Sequence, residues 1–226
     1  MATTEKEVAA MFRDRVDAGR QLAGALSAFA RDPSAIVLGV PRGGVVVAAE
    51  VARALGLPLD VVVASKVGAP GNPEFAVGAV APDGVVSVNE RGGYSAEQLS
   101  SLAEPVHAKI ARRLEAFRKG RPEPDLRDRT VIVVDDGIAT GLTARAAIEY
   151  LRRRGAMRVV LAAPVMPPDS ARMLRGVADE VIVLDTPGSF WAVGQFYQLF
   201  GQTEDAEVVR LLDEAHRRAA DGAEPT

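Results

Sequence analysis

Residues 131–143 of the chain read VIVVDDGIATGLT, and this stretch decides the prediction of the fold. Its four leading apolar residues predict a strand that is buried on both faces of a parallel sheet. Asp135 and Asp136 follow directly, and a short loop with two glycines leads into a predicted helix with apolar residues at helical spacing. The stretch is therefore a strand, loop and helix unit that carries two carboxylates where the strand ends.

The alternation of strands and helices continues on both sides of this unit. Buried strands are predicted at residues 35–40, 59–64, 131–134, 158–165 and 180–184. Because the helices between them are long enough to cross over, we expect an α/β fold with a Rossmann-like parallel sheet flanked by helices. The turn-rich residues 68–73 predict a segment without regular structure, whereas residues 76–81 and 85–88 flank a Pro-Asp-Gly turn and predict an antiparallel hairpin excursion. A capping box at Ser95 predicts a long helix that ends by Gly120, and the basic residues within 112–121 are interpreted as a solvated face that the helix dipole favours.

Composition and charge limit the kind of protein. A chain of 226 residues with 48% hydrophobic content can bury one substantial core, so we expect a single domain over 10–226. Its core would span about 10–186 and a small C-terminal hood about 187–226. The net charge of -3 gives no global attraction for nucleic acid or an anionic membrane. No cysteine and no apolar run of roughly 18 residues occur, which favours a cytoplasmic protein.

The loop after the key strand suits a phosphorylated sugar. Backbone amides of the loop and of the helix N-terminus can hold a terminal phosphate, and the hydroxyls of Thr140 and Thr143 can add hydrogen bonds. Asp135 and Asp136 can accept hydrogen bonds from ribose hydroxyls or meet a hydrated magnesium ion. No lysine follows Gly141, so the P-loop pattern is absent, and no G-x-G-x-x-G opens a helix. An Asp-Gly turn that only closes the strand is the structural alternative.

VIVVDDGIATGLT closely resembles the phosphoribosyl pyrophosphate motif of type I phosphoribosyltransferases. Residues 40–44, VPRGG, resemble the pyrophosphate loop of that family, and residues from about 13 to 200 follow the order of elements of its fold. The resemblance implies a cis peptide bond between Pro41 and Arg42. The donor-binding residues that it implies are Pro41, Arg42, Gly43, Gly44, Asp135, Asp136, Gly137, Ile138, Ala139, Thr140, Gly141, Leu142 and Thr143.

The resemblance also implies the chemistry. A nitrogen nucleophile would attack the anomeric carbon of phosphoribosyl pyrophosphate (PRPP), and pyrophosphate would leave. Magnesium, bound mainly through PRPP and not at a separate protein metal site, would stabilise the leaving group together with Arg42 and Lys66. Residues 67–75 would form a loop that closes over the reacting groups. Glu74 in that loop could act as the general base, although a glutamate that only faces solvent is the simpler explanation.

The acceptor site is predicted from an aromatic segment. Five aromatic residues fall between Phe190 and Phe200, and Phe190 or Trp191 could stack on a flat base or could belong to the core. The hypoxanthine and guanine branch usually has an aspartate at the position of Ala139. The chain therefore resembles a bacterial branch outside that group, and its acceptor could be a nucleobase or another nitrogen compound.

Two other functions are compatible with the same donor site. Some proteins of this fold sense PRPP and regulate transcription, but this chain has no helix-turn-helix extension and no net positive charge. An enzyme that hydrolyses the donor is the third alternative. The partners expected here are PRPP and a small nitrogen acceptor, with no nucleic acid and no membrane, and a homo-oligomer stays open.

Overall fold

The computed structural model describes residues 10–88 and 93–221, including all side chains in those ranges except those of residues 73 and 74. The helices are α1 (Arg15–Ala25), α2 (Gly43–Leu55), α3 (Ala96–Arg118), α4 (Leu142–Arg153), α5 (Pro168–Leu174) and α6 (Asp205–Asp221). The strands are β1 (Ala35–Gly39), β2 (Leu59–Val61), β3 (Ser65–Ala69), β4 (Asn72–Val80), β5 (Val86–Val88), β6 (Thr130–Val134), β7 (Arg158–Val165) and β8 (Glu180–Asp185).

Five of the strands form a parallel sheet in the order β2-β1-β6-β7-β8. This confirms the predicted Rossmann-like sheet flanked by helices. Gly39 at the end of β1 lies beside Val61 on one side and Val134 on the other. Because the strands are parallel, the loops that follow β1 and β6 emerge at the same edge of the sheet.

Helices cover both faces of the sheet, which explains why its strands are apolar at successive residues. Ile132 packs into the core that α1, α2, α3 and α6 form on one face. Its neighbours Val131 and Val133 point the other way and pack against α4 and α5. Each residue of β6 is therefore buried, and the strand fixes the position of the two aspartates that follow it.

The antiparallel excursion is a separate sheet in the order β3-β4-β5. The predicted hairpin is confirmed, since Gly78 pairs with Val88 and Val80 pairs with Val86. The prediction that the segment up to residue 73 has no regular structure is wrong, because β3 and β4 pair across a turn at Gly71, which has a φ of +76°. Register shifts around Gly68 accommodate the irregular residues within this pair.

The second parallel strand is shorter than predicted. The apolar run continues to Ala64, but parallel pairing with β1 ends at Val61. Residues 62–64 stay buried while the chain crosses from one sheet to the other. Burial without pairing gives the same apolar signal as a buried strand, so the sequence could not show this change. Lys66 consequently lies in β3 and not at the end of a parallel strand.

The predicted C-terminal hood divides into two parts. A 3₁₀ turn at Val193–Phe196 lies near the carboxyl edge of the sheet, where Val193 approaches Gly137. Helix α6 instead packs against α2, α3 and β2. The residues before α6 therefore lie beside the predicted site, and α6 approaches it at its first residue, where Oδ1 of Asp205 lies 3.6 Å from Nη2 of Arg113. Among the residues that the structure describes, no helix combines the length and the apolar character that crossing a membrane would require.

Candidate functional site

A cavity of about 370 Å³ opens at the carboxyl edge of the parallel sheet. Most of the predicted site residues line it, namely Pro41, Arg42, Gly43, Lys66, Asp135, Asp136, Gly137, Ile138, Ala139, Thr140, Gly141 and Thr143. The cavity is also lined by six residues outside the predicted set, which are Val40, Ala64, Ser65, Arg113, Ala144 and Val193. The other two predicted donor residues support the lining, because Gly44 packs beneath Asp135 and Leu142 packs against the core.

The loop between β6 and α4 has the form of an anion site. Helix α4 begins at Leu142 with Gly141 as its N-cap, and Gly141 has a φ of +77°, which glycine adopts without strain. The first amides of a helix have no intrahelical acceptor, and they carry the positive end of the helix dipole. Thr140 and Thr143 line the cavity at this helix start. The arrangement can hold a terminal phosphate, as the sequence pattern predicts.

Contacts with the rest of the fold fix the shape of this loop. The amide of Ile138 donates to the carbonyl oxygen of Val165 at 3.0 Å. The hydroxyl of Ser170 donates to the carbonyl oxygen of Ala139. These bonds attach the loop to β7 and α5, so its amides are already in place before a ligand arrives.

The two adjacent aspartates lie in different environments. Oδ2 of Asp136 accepts a hydrogen bond from Nε of Arg15 at 2.6 Å, and both side chains are largely buried. Oδ1 of Asp135 accepts from the backbone amide of Asp136 at 2.9 Å. The close protein surroundings of Asp135 remove it from water and raise its pKa well above the ordinary value, and the charge of Asp136 adds to this rise. One carboxylate is thus held as an ion pair, while burial and the neighbouring charge make the other harder to ionise.

The start of α2 approaches both aspartates closely. A Cβ atom added at Gly43 would lie 2.0 Å from Oδ2 of Asp136 and 2.5 Å from Nε of Arg15. A Cβ atom at Gly44 would lie 2.8 Å from the Cα of Asp135. Only glycine fits at these two positions, since real Cβ contacts are not so short. The peptide bond between Pro41 and Arg42 is cis, which confirms that prediction.

Three basic side chains line the cavity from three different elements. Arg42 is the N-cap residue of α2, Lys66 lies in β3 and is exposed, and Arg113 projects from α3. The sequence did contain a signal for Arg113. It lies three residues after Ile110 and four before Phe117, which are both buried, so it shares the inward face of the helix.

The interpretation of the arginine-rich end of α3 as a solvated face is therefore wrong for part of that region. Besides Arg113 at the cavity, Arg118 is largely buried and its Nε lies 3.3 Å from Oδ1 of Asp60. Arg118 also donates to the carbonyl oxygen of Val61. This arginine attaches α3 to the end of β2, which a dipole effect alone would not require.

The predicted general base, Glu74, lies in β4 by its backbone, and its side chain is outside the described part of the structure. Its role stays a prediction. The loop predicted over residues 67–75 is formed by the paired ends of β3 and β4 and the turn at Gly71. A hairpin tip therefore stands next to Lys66, where the sequence predicted an irregular closing loop.

The structure does not bring Phe190 and Trp191 into the lining of the cavity. The ring of Phe190 packs on that of Phe196, with 5.0 Å between their centroids, and Trp191 is 88% exposed. The aromatic segment reaches the site through Tyr197, whose hydroxyl donates to the backbone carbonyl oxygen of Asp136. Most of these aromatic side chains therefore support the site from outside the cavity.

Comparison with known proteins agrees with the geometry. The sequence pattern of the phosphoribosyl transferase domain matches residues 13–199, which include the cavity and its supporting elements. The chain therefore belongs to the phosphoribosyl transferase domain family. Its five-stranded parallel sheet with flanking helices is the kind of fold that the resemblance to this family implied.

Two relatives are similar over most of the chain. A protein of Mycobacterium tuberculosis named "putative phosphoribosyl transferase" is 48% identical over 215 residues, which is 93% of this chain. The chain spans about half the length of that protein, at 48%. The crystal structure of TT1426 from Thermus thermophilus is 44% identical with a TM-score of 0.78, and the match covers 90% of this chain and 98% of that one.

Proposed function

We propose that this chain transfers the 5-phosphoribosyl group from PRPP to a nitrogen acceptor, with release of pyrophosphate. One observation carries the proposal. The starts of α2 and α4 converge on one cavity, with Asp135 and Asp136 between them. Two anion sites separated by a pair of hydrogen-bond acceptors match the two phosphorylated ends and the central diol of PRPP.

Each part of the donor has a matching part of the site. The 5′-phosphate would bind the amides at the start of α4 and the hydroxyls of Thr140 and Thr143. The ribose hydroxyls would bind Asp135 and Asp136. The pyrophosphate would bind at the start of α2, where Arg42 and Lys66 line the cavity and place positive charge close to the leaving group.

A magnesium ion would fit this arrangement. Mg²⁺ prefers oxygen ligands and is commonly bound through substrate phosphates together with one or two carboxylates, which Asp135 and Asp136 can supply. Within residues 10–88 and 93–221 there is no group of three or more histidine, aspartate or glutamate side chains that could hold a metal ion by itself. When bound with PRPP, the metal would neutralise charge that develops on the departing pyrophosphate.

The transfer breaks the bond between the anomeric carbon and pyrophosphate and forms a bond from that carbon to the acceptor nitrogen. Positive charge develops on the sugar ring, and negative charge develops on the leaving group. Arg42 and Lys66 act on the leaving group through fixed charge, while the loop amides hold the sugar in place. The acceptor nitrogen, which we expect to be that of a nucleobase, must lose a proton, and Glu74 is the proposed base.

Pyrophosphate release tests the proposal. The protein is incubated with PRPP and MgCl₂, with and without each member of a panel of purine and pyrimidine bases and other nitrogen compounds. Release that depends on an acceptor, with formation of the matching phosphoribosyl product, is the expected result. Release at the same rate without any acceptor would indicate a hydrolase. PRPP binding without release would favour the PRPP-sensing regulator.

Three further points accompany this function. A cytoplasmic location and the lack of a nucleic-acid partner stay predictions, and the oligomeric state stays open. Each can be checked separately, by cell fractionation, by a filter-binding assay with RNA and DNA at several salt concentrations, and by light scattering.

A further inference from the structure

We propose that Arg15 is a positioning residue that holds the carboxylate of Asp136 for recognition of the sugar hydroxyls, with residues 197–201 as its support. The inference rests on the proposed function and extends it to a residue outside the cavity. Arg15 belongs to α1, and it lies 121 positions before Asp136 in the chain.

The contact between the two side chains is short and sheltered. Nε of Arg15 donates to Oδ2 of Asp136 at 2.6 Å, and the side chains are only 12% and 15% exposed. Water screens such a pair far less than it screens a surface ion pair. A guanidinium group holds an acceptor in a defined direction, since its donors are fixed in one plane. The contact uses Oδ2, and a carboxylate has further lone pairs with which it can accept from a sugar hydroxyl.

Arg15 is itself held from the C-terminal side. Its Nη1 donates to the carbonyl oxygen of Gly201 at 2.7 Å, and its guanidinium carbon lies 3.9 Å from the ring centroid of Phe200. Tyr197, which stacks near Phe200 at 5.1 Å, donates its hydroxyl to the backbone carbonyl oxygen of Asp136. Burial raises the pKa of Tyr197, so this hydroxyl remains a donor at neutral pH.

The side of the carboxylate that faces α2 is also closed. Gly43 leaves no room for a Cβ atom between itself, Oδ2 of Asp136 and Nε of Arg15. The carboxylate is thus confined by α1, by the start of α2 and by the segment at 197–201. Contacts from three distant parts of the chain therefore hold the carboxylate in place, as a positioned binding group requires.

The test compares two ligands that differ only in the hydroxyls. Ribose 5-phosphate carries them, whereas tetrahydrofurfuryl phosphate keeps the five-membered ring and the phosphate and lacks all ring hydroxyls. Calorimetric titration gives the affinity of each ligand for the wild type and for the variants Arg15→Gln, Arg15→Lys and Tyr197→Phe. Arg20→Gln is the matched control, because Arg20 lies in the same helix and pairs with Glu50 at the surface.

The wild type should prefer ribose 5-phosphate. In Arg15→Gln that preference should fall about ten- to a hundredfold, the range expected for a misplaced hydrogen bond to a charged group, while the affinity for tetrahydrofurfuryl phosphate stays within about twofold. Arg15→Lys should restore part of the preference, and Tyr197→Phe should reduce it by a smaller factor. Arg20→Gln should match the wild type.

Two outcomes would count against the inference. An unchanged preference in folded Arg15→Gln would overturn it, and so would an equal loss of affinity for both ligands, which indicates a purely structural role. If Arg15→Gln does not fold, the ligand preferences of Tyr197→Phe and Arg15→Lys are compared with that of the wild type and are judged by the same two outcomes. A wild type that binds neither ligand, or that shows no preference, would instead remove the proposed donor site itself.

Discussion

The donor loop at residues 135–143 and the aromatic segment at residues 190–200 lie at the same edge of the sheet but differ in how they form. The donor loop lines the cavity along most of its length. The aromatic segment mostly faces away from the cavity and contacts it through Val193 and, from behind, through Tyr197. One region is built to bind, and the other is built to hold a binding group in place.

The difference shows what each kind of sequence signal can reveal. A strand, two acids and a glycine-rich helix start determine the local backbone, so the donor loop can be recognised from adjacent residues. A concentration of aromatic side chains indicates burial or stacking, and its target depends on contacts with distant parts of the chain. The following variants test this division, beginning with the largest expected effect.

Gly43→Ala should have the largest effect on donor binding. The added Cβ would lie 2.0 Å from Oδ2 of Asp136, so the carboxylate or the start of α2 must move. A displacement of this size at a site of fixed geometry can cost about a hundredfold, which we expect in kcat/KM for PRPP. Steady-state kinetics measures the loss.

Gly24→Ala is the control for that substitution. A Cβ at Gly24 would meet nothing within 4 Å, and the residue is exposed near the end of α1. It should leave kinetics unchanged and stabilise the helix by up to about 0.5–1 kcal/mol. If Gly43→Ala and Gly24→Ala have the same kcat/KM for PRPP, the close approach of α2 to Asp136 does not determine donor binding.

Lys66→Ala should lower kcat/KM for PRPP by about tenfold or more, because it removes a charged partner of the pyrophosphate. The residue is exposed at the cavity, so the free energy of unfolding should change little. Lys109→Ala, an exposed lysine on α3, should leave the rate unchanged. If Lys66→Ala and Lys109→Ala have the same kcat/KM for PRPP, Lys66 does not contribute to the use of PRPP.

Phe190→Ala should mainly reduce stability, by about 1–3 kcal/mol, because the ring packs on Phe196. Trp191→Ala should change the free energy of unfolding by no more than about 0.5 kcal/mol, since the side chain is 88% exposed. Urea denaturation measures both values. A large loss of acceptor affinity in Trp191→Ala, with donor affinity unchanged, would restore this residue as an acceptor contact and narrow the contrast between the two regions.

Asp135→Asn should increase the stability of the folded protein at neutral pH. The raised pKa of Asp135 means that the folded protein carries a cost once this group ionises. The cost is absent below the unfolded pKa, grows as the pH rises from there to the folded pKa, and is constant above it. Melting temperatures should therefore coincide near pH 3 and favour Asp135→Asn at pH 7, by roughly 2–4 °C per kcal/mol gained.

Donor binding should weaken in the same variant, because the amide group replaces an acceptor oxygen with a donor. A melting temperature that falls at pH 7 would show that the charged form of Asp135 is stabilised in the folded protein. Such a result would also remove the contrast between Asp135 and Asp136.

The sequence was sufficient for the parallel sheet and for most of the cavity lining. Apolar strands that end in polar or glycine-rich loops predict both, because parallel strands place those loops at one edge. The sequence was not sufficient for Arg15, whose partner lies 121 residues away and which no local pattern distinguishes from Arg13 or Arg20. Nor could the sequence separate a buried strand from a buried crossing segment, so it did not show that the chain leaves the parallel sheet after β2.

The most direct test of the central claim is calorimetric titration of PRPP with MgCl₂ into the wild type, Gly43→Ala and Gly24→Ala. If the cavity at the carboxyl edge is the donor site, the wild type and Gly24→Ala should bind one PRPP per chain with equal affinity. Gly43→Ala should then bind about a hundredfold more weakly. A wild type that does not bind PRPP, or a Gly43→Ala variant that binds it as tightly as the wild type, would contradict the account.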